Sequence, residues 1–460
     1  MKKLIIIALC VAFNFPQIIS AHDVFFSTPN EAVNFAVQNS QVHSLQHQRV
    51  LLEMRETRLG FQDFLPTFNF TLSESDSTAL LAGDTRTRSF QANISQQVFD
   101  GGRRKFVYNV NRLSAMYAYL EHESSLMDFR SQIILLYYQY LMQRQMVLIK
   151  GELVATARSQ LNIIEMEVAI GITLETDYLE YLISFIQIEN DYNQSRRDMN
   201  MMNRRFKTAI GLSTEANLTI ADNFYKEFTY LFFEPYSDFI WTVIRNNSIE
   251  LKKQNLSLEY ARRMLAFSRR WYVPTVSIHG GISFSGDTYP LTEPRYSLRL
   301  TIDFLNANLF PLSLSNAYGF DRRRLSSVTN SASAMVEPQP SHRVQQRLAD
   351  ISILENNLQR TQIERNLHEA VYDLIITHDN TLRFVDTAER TIAVMERRLE
   401  FSRREVDQGE KKRIDYLQEL IALAQTRIAL IEYQTQAAFY ERSLEILAGF
   451  PFGVLRNEIR

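Results

Sequence analysis

The chain is short of the residues that interrupt secondary structure. It has 14 glycines and 11 prolines in 460 residues, both below the ordinary usage of about 7 and 5 per cent, so long uninterrupted elements are expected rather than compact loop-rich domains. Its only cysteine is Cys10, which excludes an internal disulfide framework and a thiolate-rich metal site. Basic excess is also missing: 50 Lys and Arg stand against 52 Asp and Glu, so nucleic acid is not an expected partner. After Phe15 no apolar run reaches the roughly 20 residues a spanning helix needs.

The N-terminus reads as an export signal over residues 1–21, with Lys2-Lys3, an apolar stretch from Leu4 to Phe15 and the small pair Ser20-Ala21. Lipidation at Cys10 is the alternative reading of the same stretch. Beyond it the chain repeats itself. Gly409, Asp415 and Gly449 each lie 238 residues after Gly171, Asp177 and Gly211. The repeat sets the domain reading: residues 22–211 form a first copy, 212–235 an aromatic-rich link, 236–449 a second copy and 450–460 a tail. The second copy carries an insert, 306–341, which is Ser/Asn-rich with Pro338-Gln339-Pro340 and is read as a loop.

Within each copy the hydrophobic period changes. Residues 30–62 follow a helical period. From Phe64 strict alternation sets Phe68, Phe70 and Leu72 against Asn69, Thr71 and Ser73, and it resumes with Phe90, Ala92 and Ile94. The second copy repeats this with Val276, Ile278 and Ile282, then with Tyr296, Leu298 and Leu300. Four strands of about 10 residues, one face apolar and aromatic, match what a tilted strand needs to cross a bilayer. Such a sheet is too small to bury itself or to enclose an interior, so other copies of the chain must complete it. The rest is helix: 103–170 and 179–210, then 342–405 and 414–448. The first of these is on the order of 100 Å long. Glycine marks both helix-to-helix tips, at Gly171 and Gly409.

Phe64-Leu65-Pro66 entering the first strand, Gln97-Val98-Phe99-Asp100-Gly101-Gly102-Arg103-Arg104 leaving the second, and the Gly-to-Asp tips give the chain its resemblance to the TolC family of outer-membrane efflux and secretion channels. The fold class this implies is mainly α with a membrane β-barrel: long antiparallel helical hairpins form a periplasmic coiled-coil tunnel, and four strands per chain contribute to a 12-stranded barrel in a homotrimer. The implied location is the outer membrane, with a large periplasmic portion. The implied role is a passive exit duct of a tripartite efflux pump or type I secretion system. Its expected partners are outer-membrane lipid, a periplasmic adaptor and an inner-membrane transporter. By position, Thr176 and Asp177 match the acceptor side of the periplasmic gate, Lys411 its basic residue and Asp415 a pore-constricting carboxylate. Gln418 and Val406 stand where the family pattern has an acid and a tyrosine. Adaptor docking falls on the tips, at Gly171, Ile172, Gly409 and Glu410. The lipid-facing set is Phe68, Phe70, Ile94, Ile278, Leu298 and Leu300.

No catalytic constellation, cofactor motif or metal site is expected. His43 and His47 are one helical turn apart but lack a nearby third ligand. The competing reading is an exported periplasmic coiled-coil scaffold without channel activity.

Overall fold

The computed structural model describes residues 24–77, 85–221, 224–225, 228–270, 273–291, 293–304, 312–321, 324–334, 341–450 and 453–459. The expected signal and Cys10 lie outside them. In chain order the elements are β1 (Val24–Phe26), α1 (Pro29–Asn39), α2 (Gln41–Leu59), β2 (Thr67–Ser77), β3 (Thr85–Phe99), α3 (Arg103–Ala169), α4 (Glu175–Ala209), β4 (Leu218–Ile220), α5 (Ser237–Asn247), α6 (Ile249–Ser268), β5 (Thr275–Gly286), β6 (Glu293–Phe304), β7 (Leu312–Asp321), β8 (Arg324–Ala334), α7 (Ser341–Asp407), α8 (Arg413–Ala448) and α9 (Val454–Ile459). Two compact units result: one takes the chain up to Leu45, Ser125–Ser248 and Leu367 onward, the other Gln46–Ser124 and Ile249–Asn366.

The second unit carries a six-stranded antiparallel sheet in the order β2-β3-β5-β6-β7-β8. This corrects two expectations. The sheet has six strands and not four, and the supposed loop at 306–341 holds a β-hairpin along the free edge of β6. The alternation that makes it a strand pair is plain in hindsight: Leu312, Leu314, Tyr318 and Phe320 alternate with Ser313, Ser315, Ala317 and Gly319.

The sheet's faces follow from the two-residue period. Rows such as Phe70–Ala92–Ile282–Tyr296–Phe320 run across one face, and Thr67–Ser95–His279–Arg299–Ala317–Thr329 across the other. On the polar face hydroxyls satisfy one another, as in Ser73–Ser89 (3.0 Å) and Ser315–Ser331 (2.7 Å). The apolar face stays exposed; Phe70 is 71% accessible.

The Asp-Gly-Gly-Arg segment turns β3 into α3. Gly101 and Gly102 take φ of 64° and 86°, and the Asp100 carboxylate accepts the amides of Gly102 (2.9 Å) and Arg104 (2.7 Å), capping the first turn. Arg104 ties the corner by donating to the Gln97 and Asp63 carbonyls, both at 2.8 Å.

In the first unit β1 pairs in parallel with β4. Phe26, Val33, Ile134, Tyr138, Leu141, Phe206 and Ile220 join in one buried cluster there. Against the cost of burial, bonds from His378 Nδ1 and the Phe233 and Glu234 amides hold Asp379 below the usual carboxylate range. The C-terminal tail is fastened rather than loose. Leu455 is buried, its amide donates to Glu445 at 3.3 Å, and burial pushes Glu445 up to about 7.

The repeat is kept to the residue in the longest helices. α3 and α7 are both 67 residues long, and the helix-ending glycines Gly211 and Gly449 take φ of 76° and 72°. Among the described residues no helix is long and apolar enough to cross a membrane.

Candidate functional site

The site consists of the two helix tips of the first unit. Each helix ends the same way. Gly171 N donates to Val168 O (3.0 Å) and Ile172 N to Glu167 O (2.9 Å). Gly409 N donates to Val406 O (3.1 Å) and Glu410 N to Glu405 O (2.9 Å). Both glycines sit in the left-handed region, at φ 79° and 76°. A Cβ at either would meet nothing within 4 Å, so backbone angle alone calls for glycine. The residues leading into the next helices, Leu174 and Lys412, share φ −71° and ψ 143°.

Behind the tips the hairpins touch through an apolar cluster. Ala157 and Ile164 of α3, Tyr181, Phe185 and Ile188 of α4, and Ile414 and Leu417 of α8 pack together. Tyr181 is fully buried and donates its hydroxyl to Ala157 O at 3.1 Å. The first turn of the second hairpin's return helix is thus wedged into the first hairpin.

Charges complete the junction. Arg413 donates to both Glu167 oxygens, at 2.6 Å for the closest pair, and to Gln160 Oε1 at 2.7 Å. Its guanidinium holds Glu167 below the usual carboxylate range. Thr173 Oγ1 adds a bond to Glu167 at 3.1 Å. Lys412 Nζ reaches Asp177 Oδ1 at 3.2 Å, with the lysine largely exposed.

Lys411 turns the other way. Its ammonium lies 2.8 Å from Glu419 Oε1 and 2.7 Å from Ser402 Oγ, inside its own hairpin. Arg398 also bonds Glu419, at 2.9 Å. Burial works against Glu419, but these donors still hold it below the usual range. Of the expected gate residues the structure therefore brings Asp177 to Lys412 rather than to Lys411. Thr176 and Asp415 are exposed beside the turns, as is Gln418, whereas Val406 is buried. The tip residues differ in kind. Ile170, Ile172 and Leu174 form an exposed apolar knob, with Ile172 at 73%, while Gly409 and Glu410 belong to a charged one.

Sequence reasoning did not single out Gln160, Glu167, Ser402 or Glu419. The available signal was the repeat, since Glu167 and Glu405 occupy equivalent positions four residues before each glycine.

Phe68, Phe70, Ile94, Ile278, Leu298 and Leu300 all lie on the sheet's exposed apolar face. Beyond Leu72 and Phe90 that face ends in charge, with Arg86 beside Asp76 (3.6 Å) and Arg88 beside Glu74 (3.8 Å). The ring of His43 packs on Phe129 at 4.4 Å, and among the described residues no three His, Cys, Asp or Glu gather as a metal site.

No protein-family model matches the sequence, and no curated protein sequence matches it. Solved structures do match in fold. The chain is similar to CusC, whose crystal structures concern transmembrane channel formation (15% identical, 92% of each chain covered, TM-score 0.74). It is similar to the outer membrane protein VceC of Vibrio cholerae (11% identical, 92% of this chain and 96% of that one, TM-score 0.72). It is also similar to the CmeC outer membrane channel of Campylobacter jejuni (13% identical, 94% of this chain and 88% of that one, TM-score 0.70). The long paired helices, the sheet with its exposed apolar face and the glycine-ended tips are together the fold of the TolC-type outer-membrane channels.

Proposed function

We propose that the chain is the outer-membrane exit duct of a tripartite export system, working as a homotrimer whose strands close one barrel. The observation that carries this reading is the sheet's broad exposed apolar face, bounded by a charged band. In water such a face is a liability; in hydrocarbon it is what a barrel wall presents. Exposed apolar stripes at Leu45, Leu52 and Leu59 on α2, and at Val344, Leu348, Ile351 and Leu358 on α7, suit packing against helices of neighbouring copies.

The duct needs no catalytic group. Its action is opening at the tips, where Arg413–Glu167 and Lys412–Asp177 fasten the second hairpin to the first. An adaptor protein carrying both apolar and acidic or basic contacts engages the Ile172 knob and the Glu410 turn and draws the hairpins apart, while an inner-membrane transporter supplies cargo and energy. Drug efflux and protein secretion use the same conduit, and the fold favours neither.

Membrane fractionation and planar-bilayer recording test the reading. The protein is expected to stay with membranes in carbonate, leave them only in detergent, and conduct as a trimer with a small conductance that rises when the tip pairs are removed. Release in carbonate and an absence of conductance would return the scaffold reading.

A further inference from the structure

The insert is where this chain departs from its own repeat. The first copy goes from its second strand straight into α3, whereas the second copy adds β7 and β8 before α7. Three observations say what the added hairpin is. First, its pairing is regular: ten cross-strand pairs join β6 to β7, from Arg295–Asp321 to Phe304–Leu312. Second, both faces carry through. Leu312, Leu314, Tyr318 and Phe320, with Leu325, Val328 and Ala332 opposite, continue the apolar face, interrupted by Asn316 facing Asn330. Ser313, Ser315, Thr329, Ser331 and Ser333 continue the polar one. A hairpin serving as a plug or an external flap has no need to keep both faces in phase with the wall.

Third, the sheet has two open edges of equal length, β2 and β8, at 11 residues each. Neither has a proline, and β8 is regular from Ser327 to Ala334 after a bulge at Ser326. Edges this long, with that one bulge at the turn end of β8 and no proline, require cover. Because the sheet has six alternating strands, β8 of one copy runs antiparallel to β2 of the next, so the ladder continues without reversal.

We infer that the insert supplies two further staves of the barrel wall: copies meet β8 to β2, and three chains close eighteen strands where a four-stranded sheet would close twelve. The inference rests on the trimeric outer-membrane reading. Barrel diameter grows roughly in proportion to strand number, so this exit is about 1.5 times as wide and about twice as large in cross-section. It is lined by hydroxyls and amides, with His279, Arg295 and Arg299 among them. Such an outlet passes bulkier polar cargo than a twelve-stranded one.

Cysteine cross-linking tests the seam, since Cys10→Ser leaves the full chain free of thiols. Thr71→Cys in β2 is combined in turn with Ser327→Cys, Thr329→Cys or Ser331→Cys in β8, all on the polar face, and separately with Thr301→Cys in β6. A short bifunctional thiol reagent is expected to give covalent dimers and trimers with at least one β8 partner and none with Thr301→Cys. Deleting 312–334 exposes β6 and is expected to switch the linkage to Thr301→Cys. The same deletion is expected to lower the polymer size admitted from the barrel side about 1.5-fold. Linkage of β2 to β6 in the full chain, or absence of β8 linkage while native trimers persist, overturns the inference and leaves the channel reading standing. Loss of trimers on native gels in the unmodified chain overturns both.

Discussion

The two hairpins share a backbone and divide the chemistry. Positions 238 apart correspond: Gln160 with Arg398, Ile164 with Ser402, Glu167 with Glu405, Thr173 with Lys411, Tyr181 with Glu419. Where the first hairpin closes on Ile164 and Tyr181, both buried, the second closes on Ser402, Lys411, Arg398 and Glu419 in one hydrogen-bonded group. Even the contact is echoed, since Thr173 bonds Glu167 at 3.1 Å and Lys411 lies 3.9 Å from Glu405. Duplication kept the geometry and let the interior diverge. An apolar joint is indifferent to salt and proton concentration; a charged one of the same shape responds to both. If the tips gate the duct as proposed, the first hairpin is the fixed jaw and the second the responsive one.

Breaking the fixed jaw should cost most. Tyr181→Ala empties a fully buried site and is expected to destabilise by about 3–5 kcal/mol. Thermal unfolding of the detergent-solubilised protein, followed by circular dichroism, should show this loss unchanged between low and high salt. A strongly salt-dependent loss would erase the distinction between the jaws.

Next comes the link between them. Arg413→Ala removes a charged, half-buried fork on Glu167, which is worth about 2 kcal/mol. Single-channel conductance is expected to rise, and to rise more than for Lys411→Ala, whose ammonium serves its own hairpin.

Within the responsive jaw, Glu419→Gln should cost about 1 kcal/mol near neutrality. The sign of its pH dependence follows from the lowered carboxylate. The folded form holds Glu419 below the ordinary value of 4.5, so the stabilisation is present above that value and is lost as pH falls through the folded one. Wild type should loosen on acidification where the variant does not, as hydrogen exchange at α7 and α8 would report. The smallest effect belongs to Lys412→Ala. Its pair with Asp177 is largely exposed, so the cost is at most about 0.5 kcal/mol and vanishes in high salt; a large conductance change from this variant alone would reverse the ranking.

How far these features can be read from the sequence depends on how local their causes are. The helix ends are local: Gly171, Gly211, Gly409 and Gly449 announce themselves because only a left-handed residue closes those turns, and the helices lie within a few residues of their expected bounds. The hairpin at 312–334 was equally local yet hidden. Asn316 breaks the apolar alternation, and serine-rich composition resembles a loop. The tip contacts are not local. Three cations in a row, Lys411, Lys412 and Arg413, straddle a turn and a helix start, so which one meets Glu419, Asp177 or Glu167 depends on how the second hairpin is seated against the first. No periodicity encodes that seating.

Equal helix length has a consequence for how such a chain can change over time. α3 and α7, 67 residues each, work as a matched pair of gauges that set their glycine turns level. One residue added to a single member would carry its turn about 1.5 Å along and about 100° around, parting Arg413 from Glu167. Loops can be edited freely, and the second copy shows it by accepting a whole hairpin between β6 and α7. The long helices tolerate length changes only in concert, so it is their shared length of 67 residues that mechanical fit holds in place.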